Sequence, residues 1–222
     1  MKVLLCGDLD AAEHADWQQA LAAAMPEAQW LDLAAARMQA ADVQVAVVAN
    51  PLPGSLQGLP ALRLIQSLWA GVDRLLADTT LPAGVPIARM VDPAMNAAMA
   101  QTALWAVLSL HRGYFAYQRR QREGRWQVHA QRRADEVRVL VLGQGQMGRT
   151  AAERLVQQGY AVSSWRRDGT PLQPLLASAD IVVNLLPLTT QTRGLLNAAF
   201  FAALPQQIGH ARGVDEYQHQ LG

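Results

Sequence analysis

Three glycines, Gly143, Gly145 and Gly148, punctuate the stretch VRVLVLGQGQMGRTAAERLVQQG at residues 137–159. The first permits a tight turn, the second lets backbone approach a phosphate with no Cβ in the way, and the third lets a helix lie close to the preceding strand. The chemistry on offer is capture of a diphosphate. Gln146, Met147 and Gly148 open the helix, and unpaired N–H groups at its positive dipole end attract anions. Glycine-rich turns also serve plain packing, so the flanks matter. Here strand-like VRVLVL precedes the turn, a helix closed by Gly159 follows it, and YAVSSW supplies a second strand, the order of a dinucleotide-binding βαβ unit.

The end of that second strand bears on which dinucleotide is held. A free ribose 2′-hydroxyl usually meets an acid about 20 residues past the first glycine, whereas a 2′-phosphate needs positive charge. Arg166 and Arg167 stand there, ahead of the first acid, Asp168, which favours NADP(H) and leaves NAD(H) open. Two exposed loop arginines of no function would read the same way. Further on, DIVVNLLPLTTQT places a third parallel strand whose carboxyl end brings Leu186, Pro187 and Thr192 to the adenosine half of the site.

These residues need a scaffold, and the first ninety residues alternate β-like runs (KVLLC, VQVAVVA, LRLIQSL) with helical patterns. The alternation predicts an α/β fold with a largely parallel sheet. Three prolines and a glycine crowd TTLPAGVPIARMVDP, residues 79–93, ahead of a long apolar helix from about Met95 to His111. We place a domain boundary there, giving units 1–93 and 94–222. The 222 residues are 51% hydrophobic and 17% charged with a net charge of +1, which excludes a global pull toward nucleic acid or an acidic surface. The one cysteine, Cys6, sits in an apolar run and reads as a small core residue. No export leader is visible, and the most apolar stretch, residues 98–110, falls short of a membrane span, so the expected compartment is the cytoplasm. Dispersed histidines and one cysteine offer no metal-ligand spacing.

Residues 112–138 carry eight arginines against Glu123, Asp135 and Glu136. A nucleic-acid contact would need an accompanying motif, and none is present. The run reads better as a solvated helix with an aromatic anchor at Trp126 bordering a subunit interface.

Taken together, LRLIQSLWAGVDRLL (62–76), VLVLGQGQMG (139–148), the arginine pair after SSW, and ADIVVNLLPLTTQTRGLLNAAFFAALP (179–205) resemble the D-isomer-specific 2-hydroxyacid dehydrogenases, in their glyoxylate/hydroxypyruvate reductase A-like branch. The resemblance runs from about residue 40 to 205. It implies a flavodoxin-like substrate domain followed by a Rossmann dinucleotide domain, a homodimer, and NADPH-dependent reduction of a small 2-oxo acid. It also implies that the WAGVD turn, Ala70, Gly71 and Val72, offers backbone amides to the substrate carboxylate, and that Arg212, in HARG, binds the carboxylate and carbonyl.

The chain departs from the family pattern after Arg212. The family's histidine, which protonates the carbonyl oxygen, and the glutamate that hydrogen-bonds to it and keeps it charged and oriented have no counterpart, and the segment around LPQQIGHARG is shortened. The expectation is a Rossmann domain incomplete at its C-terminus, with three full strands and an uncovered edge. The alternative function is a catalytically impaired homologue that acts as a dinucleotide-binding or subunit-interaction module.

Overall fold

The computed structural model describes residues 1–205. Arg212, His210 and His219 lie outside the described residues. The chain divides into two compact units, Met1–Val91 and Asp92–Gly222. The division falls two residues before the boundary expected from the proline-rich stretch, because Asp92 is the N-cap of the long helix: its carboxylate accepts from the amides of Ala94 and Met95, with Pro93 in the first turn.

The first unit holds β1 (Lys2–Gly7), α1 (Ala11–Ala24), β2 (Gln29–Leu31), α2 (Leu33–Met38), β3 (Val43–Ala49), β4 (Leu64–Ser67), α3 (Asp73–Leu76) and β5 (Ile87–Ala88). All five strands pair in parallel in the order β2-β1-β3-β4-β5, the flavodoxin-like arrangement. Successive side chains of a strand point to opposite faces, and both faces here are apolar. Leu4, Ala46, Val48 and Ile65 pack on one side, and Val3, Leu5, Val47 and Ala49 on the other. Each fully buried Leu or Val contributes about 1.5–3 kcal/mol, which explains why these strands read as unbroken hydrophobic runs. Cys6 is buried within the same core, and burial pushes its thiol up to about 12, so it has no thiolate to react with at neutral pH.

The second unit holds α4 (Pro93–His111), α5 (Tyr114–Arg122), β6 (Arg138–Leu142), α6 (Gln146–Gln157), β7 (Ala161–Trp165), α7 (Gln173–Ser178), β8 (Ile181–Asn184) and α8 (Ala198–Ala202). Val139 and Val141 of β6 face a cluster with Val107, Leu155 and Tyr160, whereas Leu140 and Leu142 face Trp165, Leu176 and Phe200. Small side chains let α4 lie close to α6, through Ala100, Ala103 and Ala151.

The strand order is β7-β6-β8, all parallel. The third strand in sequence thus lies on the opposite side of the first from the second, the place that strand four takes in a six-stranded doubly wound sheet. The third parallel strand expected in DIVVNLL is β8, and it pairs with β6. The chain leaves β6 one way through α6 and returns the other way through α7, so the glycine turn opens at a topological switch point, where α/β folds hold ligands.

Four of the eight arginines in the stretch form ion pairs. Arg125 pairs with Glu123, Arg133 with Asp135 at 2.5 Å, and Arg132 and Arg138 converge on Asp180 at 2.9 and 3.3 Å. Trp126 is 93% exposed and so anchors nothing among the described residues. No helix among the described residues is long and apolar enough to cross a membrane.

Candidate functional site

The turn between β6 and α6 is built by its glycines in two different ways. Gly143 has φ +106°, a conformation L side chains rarely adopt, and a Cβ there would lie 2.8 Å from the carbonyl oxygen of Leu185. At Gly148 a Cβ would stand 1.9 Å from the carbonyl oxygen of Gly143, so helix and turn touch backbone to backbone. Gly145 differs. Its φ of −68° and ψ of −177° suit any residue, and nothing lies within 4 Å of where a Cβ would be. Packing within the chain therefore explains Gly143 and Gly148 and leaves Gly145 unexplained.

Gly145 is the N-cap of α6 and carries no side-chain cap, and the amides of Gln146, Met147 and Gly148 donate to nothing among the described residues. Twelve residues of helix stand behind these free donors, enough for a positive end. A diphosphate fits this cradle by size, charge and donor set. The side chain of Gln146 is turned away and held by buried Asn96 of α4, whose Nδ2 donates to Oε1 at 3.3 Å. Asn96 was not singled out from sequence, although a lone amide inside the apolar run AMNAAMA is the signal that marks it.

Beyond β7, Arg166 and Arg167 part company. Arg166 donates from Nε to Asp168 Oδ2 at 2.6 Å. Arg167 donates from Nη1 to the carbonyl oxygen of Gln191, in the segment after β8. The Arg166 guanidinium, followed by the hydroxyl and amide of Thr170, holds the Asp168 carboxyl well below the usual range, at about 2. Leu186, Pro187 and Thr192 line a cavity of about 190 Å³ together with Asn184, Leu188 and Leu196. The Thr192 hydroxyl donates to the carbonyl oxygen of Pro187 at 2.5 Å and accepts from the amide of Thr189 at 2.8 Å. It shapes the loop rather than facing the cavity with a free polar group. A broader depression of about 410 Å³ between α6 and β7 is lined by Ala152, Glu153, Val156, Gln157, Val162 and Ser164 and brings no positive charge.

In the first unit, Ala70, Gly71 and Val72 connect β4 to α3. Ser67 is buried, and its Oγ accepts from the amide of Trp69 at 3.0 Å, which pins the start of the turn. The next three amides, those of Ala70, Gly71 and Val72, have no partner among the described residues. Arg89, unforeseen in the sequence, donates to the Ala70 carbonyl at 3.4 Å and brings a positive charge beside them. The short α3, four residues long, adds little dipole, so the attraction for an anion comes from local amides and Arg89.

Comparison with known proteins agrees with this geometry. Residues 104–213 match the model of the D-isomer specific 2-hydroxyacid dehydrogenase NAD binding domain. A glyoxylate/hydroxypyruvate reductase A from Klebsiella pneumoniae is 31% identical over 92% of this chain and 71% of its own length. Among solved structures, a D-isomer specific 2-hydroxyacid dehydrogenase from Xanthobacter autotrophicus in complex with NADPH and MES is 36% identical, with a TM-score of 0.82 over 92% of this chain and 69% of that one. An NADPH-dependent glyoxylate/hydroxypyruvate reductase from Sinorhizobium meliloti, in complex with NADP and sulfate, is 30% identical, with a TM-score of 0.82 over 93% of this chain and 68% of that one. With two α/β units in the family's order and a glycine turn open to a dinucleotide, the chain belongs to the D-isomer specific 2-hydroxyacid dehydrogenase family.

Proposed function

We propose that this chain, in the cytoplasm, binds NADP(H) at residues 143–148 and reduces a small 2-oxo acid, glyoxylate or hydroxypyruvate, to the 2-hydroxy acid. The observation that carries the reading is Gly145: among the described residues nothing fills the space its missing Cβ leaves, and the donors behind it have no partner. The nicotinamide, when bound, supplies hydride to the carbonyl carbon. Residues of the chain hold the reactants. The amides of Gln146, Met147 and Gly148 grip the diphosphate, Arg166 gives the positive charge that favours the 2′-phosphate over NAD(H), Arg167 stands beside it at the cofactor site, and Leu186, Pro187 and Thr192 flank the adenosine. The substrate carboxylate rests on the amides of Ala70, Gly71 and Val72, with Arg212 as the catalytic arginine that polarises the carbonyl.

A second reading, a dinucleotide-binding or subunit-interaction module without turnover, draws on the histidines. His111 uses Nδ1 with the Tyr160 hydroxyl and Nε2 with the Arg132 carbonyl, both at 2.9 Å, and so is spent on structure rather than held ready as a proton donor. One experiment separates the readings: NADPH is titrated against the purified chain by tryptophan fluorescence, and its oxidation is then followed at 340 nm (the reduced-nicotinamide absorbance, roughly) on adding glyoxylate. Saturable binding with turnover supports the reductase. Binding alone supports the dinucleotide-binding module, and no binding defeats the reductase and leaves only a subunit-interaction module. We further propose a homodimer that covers Trp105, Phe115 and Trp126, apolar side chains 51%, 38% and 93% exposed. Light scattering on the purified chain tests it, and a monomer at micromolar concentration rejects it.

A further inference from the structure

We infer that Asp168 is a positioning residue that sets 2′-phosphate preference by holding Arg166 in place, and that Arg166 and Arg167 have separate tasks. The inference rests on the dinucleotide reading above and deepens it. Sequence alone makes Asp168 ambiguous, because an acid after the second strand of a Rossmann unit ordinarily accepts the free 2′-hydroxyl of NAD(H) and repels a phosphate. The geometry removes that role. Oδ1 of Asp168 already accepts from the Thr170 hydroxyl at 2.7 Å and the Thr170 amide at 3.2 Å. Oδ2 accepts from Arg166 Nε at 2.6 Å, while the Asp168 amide donates to the Arg166 carbonyl at 3.0 Å. The loop is closed beneath by buried Trp165, whose indole N–H donates to the Thr170 carbonyl at 2.8 Å. Both carboxylate oxygens are engaged, so the acid is committed to the loop.

Arg166 is thereby gripped at Nε alone, which leaves both terminal nitrogens of its fork without a partner among the described residues. A planar guanidinium fixed at one edge and free at the other is suited to bidentate capture of a phosphoryl group, with little rotamer freedom left to lose on binding. Arg167 is used differently. Its bond to the Gln191 carbonyl ties the loop after β7 to the turn shaped by Thr189 and Thr192. It acts as a strut between the two walls of the adenosine site and serves NADPH and NADH alike.

The proposal makes a prediction opposite in sign to simple charge counting. Removing a negative charge beside a phosphate site should strengthen NADPH binding by Coulomb attraction, whereas loss of a positioning carboxylate weakens it. Dissociation constants for NADPH and NADH are measured by calorimetry on the full chain and on Asp168→Asn, Arg166→Gln and Arg167→Gln variants. Asn keeps the acceptor for Thr170 and turns an amide toward Arg166 Nε, so the loop stays closed and the grip is lost. Expected for Asp168→Asn is about tenfold weaker NADPH binding with NADH affinity within about twofold, the worth of one charge-assisted hydrogen bond. Arg166→Gln gives a larger loss confined to NADPH, and Arg167→Gln weakens both nucleotides equally. An Asp168→Asn chain that binds NADPH more tightly, or loses NADPH and NADH in parallel, overturns the inference and leaves the dinucleotide reading standing. A wild-type chain that binds neither nucleotide overturns both. An unchanged melting temperature for Asp168→Asn accompanies the expected result, and a lowered one with parallel losses marks a merely structural role.

Discussion

The two strand-to-helix turns, β6 to α6 and β4 to α3, are both glycine-bearing and both offer free amides, yet they are built on different principles. In the first, Gly143 and Gly148 are fixed by the protein's own backbone, which leaves no room for a Cβ at either place. Only Gly145 has open space before it. In the second, Gly71 has no left-handed backbone angle, and a Cβ there would make just one contact, at 3.4 Å with Asp73 Oδ1. A turn that packing holds rigid is ready for its ligand before the ligand arrives, whereas the second turn is held by fewer constraints, one buried serine and a four-residue helix.

The largest effect that sharpens this contrast is expected at Gly148. Gly148→Ala forces its methyl against the Gly143 carbonyl and should cost about 3 kcal/mol or more, read as a lowered denaturant midpoint. A variant of wild-type stability would break the claim that this glycine is structural. Gly145→Ala comes next and acts on binding alone: stability should stay within about 0.5 kcal/mol while NADPH affinity falls roughly ten- to hundredfold. Unchanged affinity in a calorimetric titration would mean that no phosphate approaches there.

Asp180, one edge of the sheet that carries the first turn, gives a smaller and pH-dependent effect. Burial pushes its pKa up, but the amide of Arg138 and the guanidinium groups of Arg132 and Arg138 outweigh this, and the net direction is down. A lowered folded pKa means that the stabilisation is complete above the unfolded value of about 3.9 and fades as pH falls through the folded one. Asp180→Asn should therefore cost about 1–2 kcal/mol at pH 7 and progressively less below about pH 4, as urea titrations at both values would reveal. The smallest change is Gly71→Ala, which should leave the melting temperature and NADPH affinity as they are and raise KM for glyoxylate a few-fold, about 1 kcal/mol. An unaltered KM would remove this turn from the substrate site.

Much of the second unit was legible in advance because its constraints are local. The three glycines, the apolar β6 and the helix behind them are read from spacing alone, since φ, close approach and helix phase all act within a few residues. The place of β8 was not. Its apolar run marks a strand, but a period-two pattern names no neighbour, and only the packing of α6 and α7 on opposite faces puts it beside β6. Trp126, read as an aromatic anchor bordering a subunit interface, is 93% exposed, so nothing packed against it within the described residues competes with such a role.

From its sequence by itself, this protein's α/β class, its two units, its glycine turn between strand and helix and its family resemblance are determined, because each depends on residue type and short spacing. The tertiary structure alone decided which glycine faces open space, which of two adjacent arginines is left with a free fork, and what the acid after them bonds to. Some of those distinctions come from atoms distant in the chain, as where Gly143 meets Leu185 and Arg167 meets Gln191, and the local ones, among Arg166, Asp168 and Thr170, come from side-chain rotamers that no residue pattern encodes.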